Sequence, residues 1–185
     1  MNCDNLLTDD ILEHICAHCK QISILRSRKN QSLTRSSIEL ISASTFSTLK
    51  ELSISYCYNV DMLVQLKHCT LLEKLEILDI SYTHCNPEDR LDELLASLTQ
   101  LRVLLMYGKE VKSAALYAIA HHCPHIESTY LDGCTGDFSG EGLLELVACA
   151  RNLRYFSVTL SFTVENSALA AQLSQLNPGV EVNCY

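Results

Sequence analysis

A repeating spacing of aliphatic residues constrains the fold of this chain more than any other feature. The stretch from Leu49 to Cys57, LKELSISYC, carries aliphatic residues at positions 49, 52 and 54 and a cysteine at position 57. Aliphatic residues that begin the same pattern recur at intervals of 27, 26, 26, 25 and 27 residues, at Ile22, Leu49, Leu75, Leu101, Ile126 and Leu153. A fixed period of roughly 20 to 50 residues indicates a repeat architecture.

The second and third aliphatic positions of each repeat complete a predicted core. They lie two residues apart, as side chains on one face of a strand do. The pairs are Leu25 and Ser27, Leu52 and Ile54, Leu78 and Ile80, Leu104 and Met106, Thr129 and Leu131, and Phe156 and Val158. Only Ser27 and Thr129 are polar, so we predict six strands that each bury one side.

After each predicted strand the apolar spacing changes from two to three or four, which is typical of a helix. The predicted helices cover residues 33–41, 60–66, 91–98, 111–120, 138–148 and 164–173, and an earlier helix covers 8–16. We predict an α/β fold in which parallel inner strands and outer helices stack into a curved solenoid. Residues 1–185 would form one domain, with its first strand near residue 22, about six full repeats and a terminal strand over 180–184.

The L-x-x-L-x-L-x-x-N/C spacing is that of leucine-rich repeats. The segments HCKQISIL at His18–Leu25 and HCPHIESTYLDGC at His122–Cys134 resemble the cysteine-containing subtype found in F-box proteins, and LTDDILEHICAHC at Leu7–Cys19 resembles the helix signature of that subtype. The resemblance covers nearly the whole chain. It implies a right-handed superhelix of strands and helices.

The resemblance also implies that small residues pack inside the arc just before and just after each strand. Cys19 and Cys123 match the position before the strand, and Cys57, Cys134 and Asn30 match the position after it. The remaining repeats depart from the pattern, with Thr83, Lys109 and Ser161 at the position after the strand. We expect the packing there to be looser or to be supported differently.

Many relatives of this subtype are substrate receptors of cullin-type ubiquitin ligases, in which an F-box docks the adaptor and the repeats hold the substrate. Residues 16–25 run directly into a repeat strand and leave no room for the helices of an F-box after Leu7 to Ile15. The resemblance therefore implies the substrate-recognition part of such a receptor, which would reach the adaptor only through an F-box that these residues lack. The alternative is a structural scaffold in a larger assembly unrelated to ubiquitination.

Composition narrows the range of partners and compartments. The net charge is -8, from 14 basic and 22 acidic side chains, so we expect no nucleic acid partner. We expect no membrane span, because charged residues interrupt the apolar segments. The start MNCDNLLTDD does not read as a secretory signal, so we expect the ten cysteines to be reduced thiols in the cytoplasm, with the nucleus as the alternative.

The residues that alternate with the core positions along each strand are predicted to face solvent, among them Glu51, Ser55, Ser81 and Ser157. Part of this surface is predicted to bind the partner. An apolar and tyrosine-rich strip there comprises Ile77, Val103, Leu105, Tyr107, Tyr130 and Tyr155. Tyrosine offers a large contact area at low entropic cost. The adjoining charged residues Asp132, Arg26 and Arg28 complete the predicted site, although an ordinary solvated surface would also explain the two arginines.

No residue pattern predicts catalysis, a metal site or a cofactor. The sequence contains no G-x-S-x-G, H-E-x-x-H or Walker A motif, so we expect a non-enzyme. Two groups of potential zinc ligands occur, one at Cys16 and Cys19 with nearby histidines, the other over residues 121–125. Because the repeat register assigns Cys19 and Cys123 to packing positions, we expect neither group to bind zinc.

Overall fold

The computed structural model describes residues 6–43, 48–57, 75–83, 91–136, 140–159 and 164–184. Its helices are α1 Asp9–His18, α2 Arg35–Ala43, α3 Leu91–Ser97, α4 Ser113–His122, α5 Gly140–Cys149 and α6 Val164–Leu176. Its strands are β1 Ile24–Arg28, β2 Glu51–Ser55, β3 Ile77–Asp79, β4 Val103–Leu105, β5 Ser128–Leu131, β6 Tyr155–Val158 and β7 Glu181–Cys184. The predicted helix over 60–66 lies outside the described residues; the other predicted helices agree with the observed ones to within a few residues.

The seven strands form one parallel sheet in the order β1-β2-β3-β4-β5-β6-β7. Each strand therefore pairs with its neighbours in sequence, and the register aligns equivalent positions of successive strands. One aligned row consists of Leu25, Leu52, Leu78, Leu104, Thr129, Phe156 and Val182. The predicted α/β class and the parallel pairing of the strands are confirmed.

One side of the sheet forms the core. The residues predicted at the second and third positions of the six strands are all at most 1% exposed, including the polar Ser27 and Thr129. Burying each aliphatic side chain there contributes about 1.5–3 kcal/mol. Ser27 accepts a hydrogen bond of 3.2 Å from the amide of Asn30. The hydroxyl oxygen of Thr129 has no hydrogen-bond partner in the described part of the chain.

Helices that follow one another pack side by side and cover this core. Contacts join α1 with α2, α3 with α4, α4 with α5, and α5 with α6. The helices α1 to α5 turn an apolar side inward at a spacing of three or four residues, as Leu116 and Ile119 do in α4 and Leu143 and Leu146 do in α5. Since a single strand and helix cannot enclose an apolar core, the stacking of neighbours stabilises all of them.

The start of α1 is tied to the start of α2. The Thr8 side chain caps α1 by accepting a 3.3 Å hydrogen bond from the backbone N–H of Ile11. The Asp9 carboxylate accepts hydrogen bonds from the Thr34 hydroxyl at 2.6 Å and from the Ser37 hydroxyl. Burial opposes ionisation of Asp9, but these hydrogen bonds outweigh it and lower the pKa of that carboxyl.

The position after each strand is buried throughout the described chain. It holds Asn30, Cys57, Thr83, Lys109 and Cys134. The thiol of Cys134 donates a 2.8 Å hydrogen bond to the carbonyl oxygen of Met106, and burial raises the pKa of that thiol to about 11. Ser161 lies outside the described residues. The departures at Thr83 and Lys109 do not loosen the row, because both side chains are buried and hydrogen-bonded.

Of the two cysteines predicted to pack before a strand, only one does. Cys123 is 1% exposed, its thiol faces the Leu95 carbonyl oxygen in α3 at 3.5 Å, and burial raises its pKa to about 12. Cys19 is exposed, which contradicts the prediction. The physical reason is that α3 precedes α4 and covers Cys123, whereas in the described residues no helix precedes α1 to cover Cys19. Cys16, Cys19, Cys123, Cys134 and Cys149 are free thiols.

Candidate functional site: the open face of the sheet

The side of the sheet opposite the core carries the predicted site, and we call it the open face. Its residues alternate along each strand with the buried ones, and most of them are partly exposed. The register aligns them in rows, of which the central one is Arg26, Ser53, Asp79, Leu105, Tyr130, Ser157 and Asn183. The side chains of this central row are thus held on paired strands and not on loops.

Five tyrosines cross this face from β6 to the end of β2, and we call them the tyrosine diagonal. They are Tyr155, Tyr130, Tyr107, Tyr82 and Tyr56. Ring centroids are 4.9 Å apart between Tyr155 and Tyr130 and 6.0 Å apart between Tyr130 and Tyr107. Tyr82 and Tyr56 stack at 4.5 Å with an interplanar angle of 20°. These separations are typical of favourable aromatic pairs.

Three of these tyrosines lie on a diagonal because each is displaced by one open-face position along the strand direction relative to the tyrosine of the neighbouring strand. Tyr155 is the first residue of β6, Tyr130 lies one open-face position further along β5, and Tyr107 one further again beyond β4. Asn183 of β7 anchors one end by donating a 3.1 Å hydrogen bond to the Tyr155 hydroxyl. At Tyr107, the backbone N–H donates to the Ser81 hydroxyl at 3.1 Å. These polar contacts hold the hydroxyl of Tyr155 at one end of the three-ring row and the backbone of Tyr107 at the other.

Tyr56 and Tyr82 occupy an unusual backbone conformation. Their φ angles are 59° and 51°, and equivalent positions after the neighbouring strands hold Lys29 at 55° and Gly108 at 64°. Large residues seldom adopt this left-handed conformation. The backbone N–H groups of Tyr56 and Tyr82 donate to the carbonyl oxygens of the next repeat at 2.9 and 2.8 Å, which holds the turns in place. The turn directs both rings along the carboxyl ends of the strands.

Gly108 makes room for the Tyr82 ring. A Cβ atom at position 108 would overlap the Tyr82 side chain. The absence of a side chain therefore allows the ring of one repeat to lie against the backbone of the next. This close approach connects the stacked pair of Tyr56 and Tyr82 with the part of the open face around Tyr107.

The predicted arginines lie at the β1 end of the open face. Arg26 forms a bidentate ion pair with Glu51 of β2, with its second contact at 2.8 Å. Arg28 and Lys29 lie 5.3 and 5.7 Å from the centre of the Tyr56 ring, within cation–π range. Glu51 was predicted to face solvent but is only 7% exposed, because Arg26 covers it. The charge of Arg26 is therefore locally balanced.

Several small residues predicted to face outward are also buried, which corrects the outline of the surface. Ser55, Ser81 and Ser157 are at most 4% exposed. Ser157 donates a hydrogen bond to the Asp132 carboxylate, next to the larger Tyr130 and Tyr155 rings. These serines form the floor between larger side chains instead of part of the contact surface.

Two carboxylates flank the strand that leads to Tyr107. Asp79 in β3 accepts hydrogen bonds from the Ser53 hydroxyl at 2.8 Å and from the Ser81 N–H at 3.0 Å. Burial and the charges of Asp132 and Asp79, with the neighbouring phenols, raise the pKa of Tyr107 to about 12. The surroundings of Tyr107 therefore oppose additional negative charge.

A cavity of about 620 Å³ lies on the same face between β1 and β4. Serines form its floor, and its walls include Arg28, Tyr56, Tyr82, Asp79 and Tyr107. Its volume lies in the range of roughly 300–1,000 Å³ that is usual for ligand sites. The cavity thus joins the basic and the acidic parts of the open face.

The structure brings the predicted strip together. Ile77, Val103 and Leu105 lie beside the tyrosines on adjacent strands and are partly exposed, as are Tyr107, Tyr130, Tyr155 and Asp132. Sequence reasoning missed Tyr56 and Tyr82. A signal was present, since both directly precede the buried position after the strand and lie 26 residues apart.

One histidine of the two His/Cys groups in the sequence, His121, lies in a cluster of potential metal ligands among the described residues. His121 of α4 lies 3.1 Å from Glu145 of α5, and the Cys149 thiol donates to the same carboxylate at 3.3 Å. These three side chains are close enough to share a metal ion, but the hydrogen bonds already account for their proximity. His14 and His18 instead contact each other, with ring centroids 4.2 Å apart.

Compared with protein-family models and with curated proteins, the sequence matches neither. Among the described residues, none of the helices combines the length and the apolar character that a membrane crossing requires.

Proposed function

We propose that this protein is a leucine-rich repeat solenoid that binds a protein partner on the open face. The tyrosine diagonal is the observation that carries this proposal. Five partly exposed phenol rings on one face exceed what scattered surface residues would place there. Tyrosine is enriched at interface positions that dominate binding energy, because it buries a large area and loses few rotamers.

The solenoid architecture is supported by the equal spacing and sequential order of the strands. Equivalent residues of successive strands stack in straight rows, and equivalent left-handed turns follow five of the described strands, at Lys29, Tyr56, Tyr82, Gly108 and Gly133. Repeats of this type stack nearest neighbours and expose an extended surface. A rigid surface of that kind suits recognition of another protein.

The proposed partner is a protein, and the resemblance to F-box relatives suggests a substrate awaiting ubiquitination. That part of the proposal rests on the sequence resemblance alone. The competing proposal is a structural scaffold in a larger assembly. We propose neither a nucleic acid nor a membrane as partner, since the net charge of -8 opposes binding to polyanions.

The test is quantitative affinity capture with wild-type protein and the Tyr107→Ala and Tyr130→Ala variants. Tyr117→Ala is a matched control, because Tyr117 is 37% exposed on α4, away from the open face. We expect each open-face variant to capture about tenfold less, or lower still, of its specific partners, because it lacks a central aromatic anchor. The control should capture as much as wild type. Equal capture by all four proteins would overturn the proposal.

The same experiment separates the two functional interpretations. Ubiquitin-bearing partners and cullin-adaptor components among the Tyr130-dependent proteins would support the receptor. Their absence, with Tyr130-dependent partners still present, would favour the scaffold.

A further inference from the structure

We propose that the occupant of the open face is a peptide segment that places an arginine or lysine side chain over Tyr107 and Tyr130, between Asp79 and Asp132. This inference rests on the proposed function and specifies the chemistry of the partner. It follows from the distribution of charge and aromatic rings on the described part of the face.

The two carboxylates lack a cationic partner within the described residues. Asp79 is held by a serine hydroxyl and a backbone N–H, and Asp132 by the hydroxyl of Ser157. The Asp132 Oδ1 atom is buried without a hydrogen-bond partner in the described chain. Over the open-face positions of β3 to β6 that the structure describes, there is no lysine or arginine. A cation supplied by a partner would complement this charge.

The contrast with the other end of the sheet is informative. There, Glu51 already pairs with Arg26, and the Tyr56 ring already has the cationic groups of Arg28 and Lys29 within 6 Å. The chain itself thus shows a cation seated on one member of the diagonal. Within the described residues, no such cation lies over Tyr107 or Tyr130.

The ring geometry suits a guanidinium or ammonium group. Tyr107 and Tyr130 are tilted by 47° with centroids 6.0 Å apart, which lets the side chain of a partner contact both rings. Asp79 lines the same cavity as Tyr107. The charges of Asp132 and Asp79, which oppose the phenolate of Tyr107, would attract a positive charge placed beside that ring. Arginine can add bidentate hydrogen bonds to a carboxylate.

The test is a selection from a random dodecapeptide library on wild-type protein, followed by binding measurements by fluorescence anisotropy. The selected peptides are measured against Tyr130→Ala, Asp132→Asn and Asp79→Asn. Glu141→Gln is the charge-matched control, because Glu141 is exposed on α5 and its loss changes the net charge by the same amount. Thermal melts of each variant establish that it is folded as wild type.

We expect Tyr130-dependent binders enriched in arginine and lysine at one position. Replacing that arginine by the neutral isostere citrulline should weaken binding about tenfold or more. Asp132→Asn or Asp79→Asn should weaken it severalfold, and Glu141→Gln should not. Equal weakening by Glu141→Gln would assign the effect to net charge and overturn the inference.

The experiment distinguishes failure of this inference from failure of the proposed function. Tyr130-dependent binders without a required cation would overturn this inference and leave the proposed function standing. A selection that yields no Tyr130-dependent binder would contradict both.

Discussion

The ammonium group of Lys109 donates a 2.7 Å hydrogen bond to the backbone carbonyl oxygen of Thr83, one repeat earlier in the sequence. It also donates to the Thr83 hydroxyl, which in turn donates to the carbonyl oxygen of Ile80 at 2.8 Å. Lys109 is only 2% exposed. A lysine thus occupies a row otherwise filled by small residues and asparagine, and its side chain links adjacent repeats.

We predict that Lys109→Met lowers the free energy of unfolding by about 2 kcal/mol or more, because hydrogen bonds from a charged group in a buried site contribute about 1.5–3 kcal/mol each. Methionine keeps most of the side-chain volume, so the change isolates the polar contacts. Urea denaturation measures the effect. Lys50→Met is the control, since Lys50 forms an exposed ion pair with Glu76 and should contribute under about 1 kcal/mol. Equal losses in the two variants would contradict the structural role of Lys109.

We predict that Gly108→Ala destabilises the protein by about 1–3 kcal/mol, because position 108 has a positive φ and a Cβ there would overlap the Tyr82 ring. The displaced ring should also weaken its stacking on Tyr56, which near-ultraviolet circular dichroism detects. Gly179→Ala should change stability by less than about 1 kcal/mol, because its Cβ would lie at an ordinary distance of 3.5 Å from Asn177. The proposed contact is wrong if both variants behave alike.

The contribution of Asp9 to the free energy of unfolding should depend on pH. Its pKa is lowered in the folded protein, so its contribution is complete above the unfolded pKa of about 3.9 and disappears as the pH falls through the folded value. We predict that Asp9→Asn lowers the free energy of unfolding by about 1 kcal/mol at pH 7 and that the difference from wild type shrinks toward pH 3. Denaturation at both pH values measures it. Asp10→Asn is the control from the same helical turn; a similar loss there would assign the effect to the helix dipole.

Tyr107 should make the folded state sensitive to alkali. Its pKa is raised to about 12, so its contribution to stability is present below the unfolded pKa of about 10 and is lost as the pH rises toward 12. We predict that Tyr107→Phe retains more of its stability over this interval than wild type does. Ultraviolet titration should show one fewer late-ionising phenol in this variant than in wild type. An unchanged titration curve would show that Tyr107 is not held as described.

The repeat period was sufficient to predict the core. Leu52, Leu78 and Leu104 share one position in successive repeats, and the register aligns them because one backbone geometry is repeated at nearly equal chain length. The sequence predictions failed where the burial of a residue depends on the element packed beside it. Cys19 and Cys123 occupy equivalent positions, yet only Cys123 has a preceding described helix to cover it.

The open-face residues were predictable where side chains alternate along strands. They were not predictable where a turn after the strand sets the direction of the side chain. Tyr107, Tyr130 and Tyr155 followed from period-two alternation. Tyr56 and Tyr82 lie in left-handed turns, a conformation that sequence patterns assign to glycine instead of tyrosine. The pairing of Arg26 with Glu51 also required the register, because the residues are 25 positions apart.

Site-specific photo-crosslinking tests most directly whether the open face is the recognition surface. A benzophenone amino acid would replace Tyr130 in one protein and Tyr117 in another, and each would be irradiated in extract with its partners. We predict distinct crosslinked partners from position 130 and none of those partners from position 117. Crosslinks to the same partners from position 117 but not from position 130 would contradict the account.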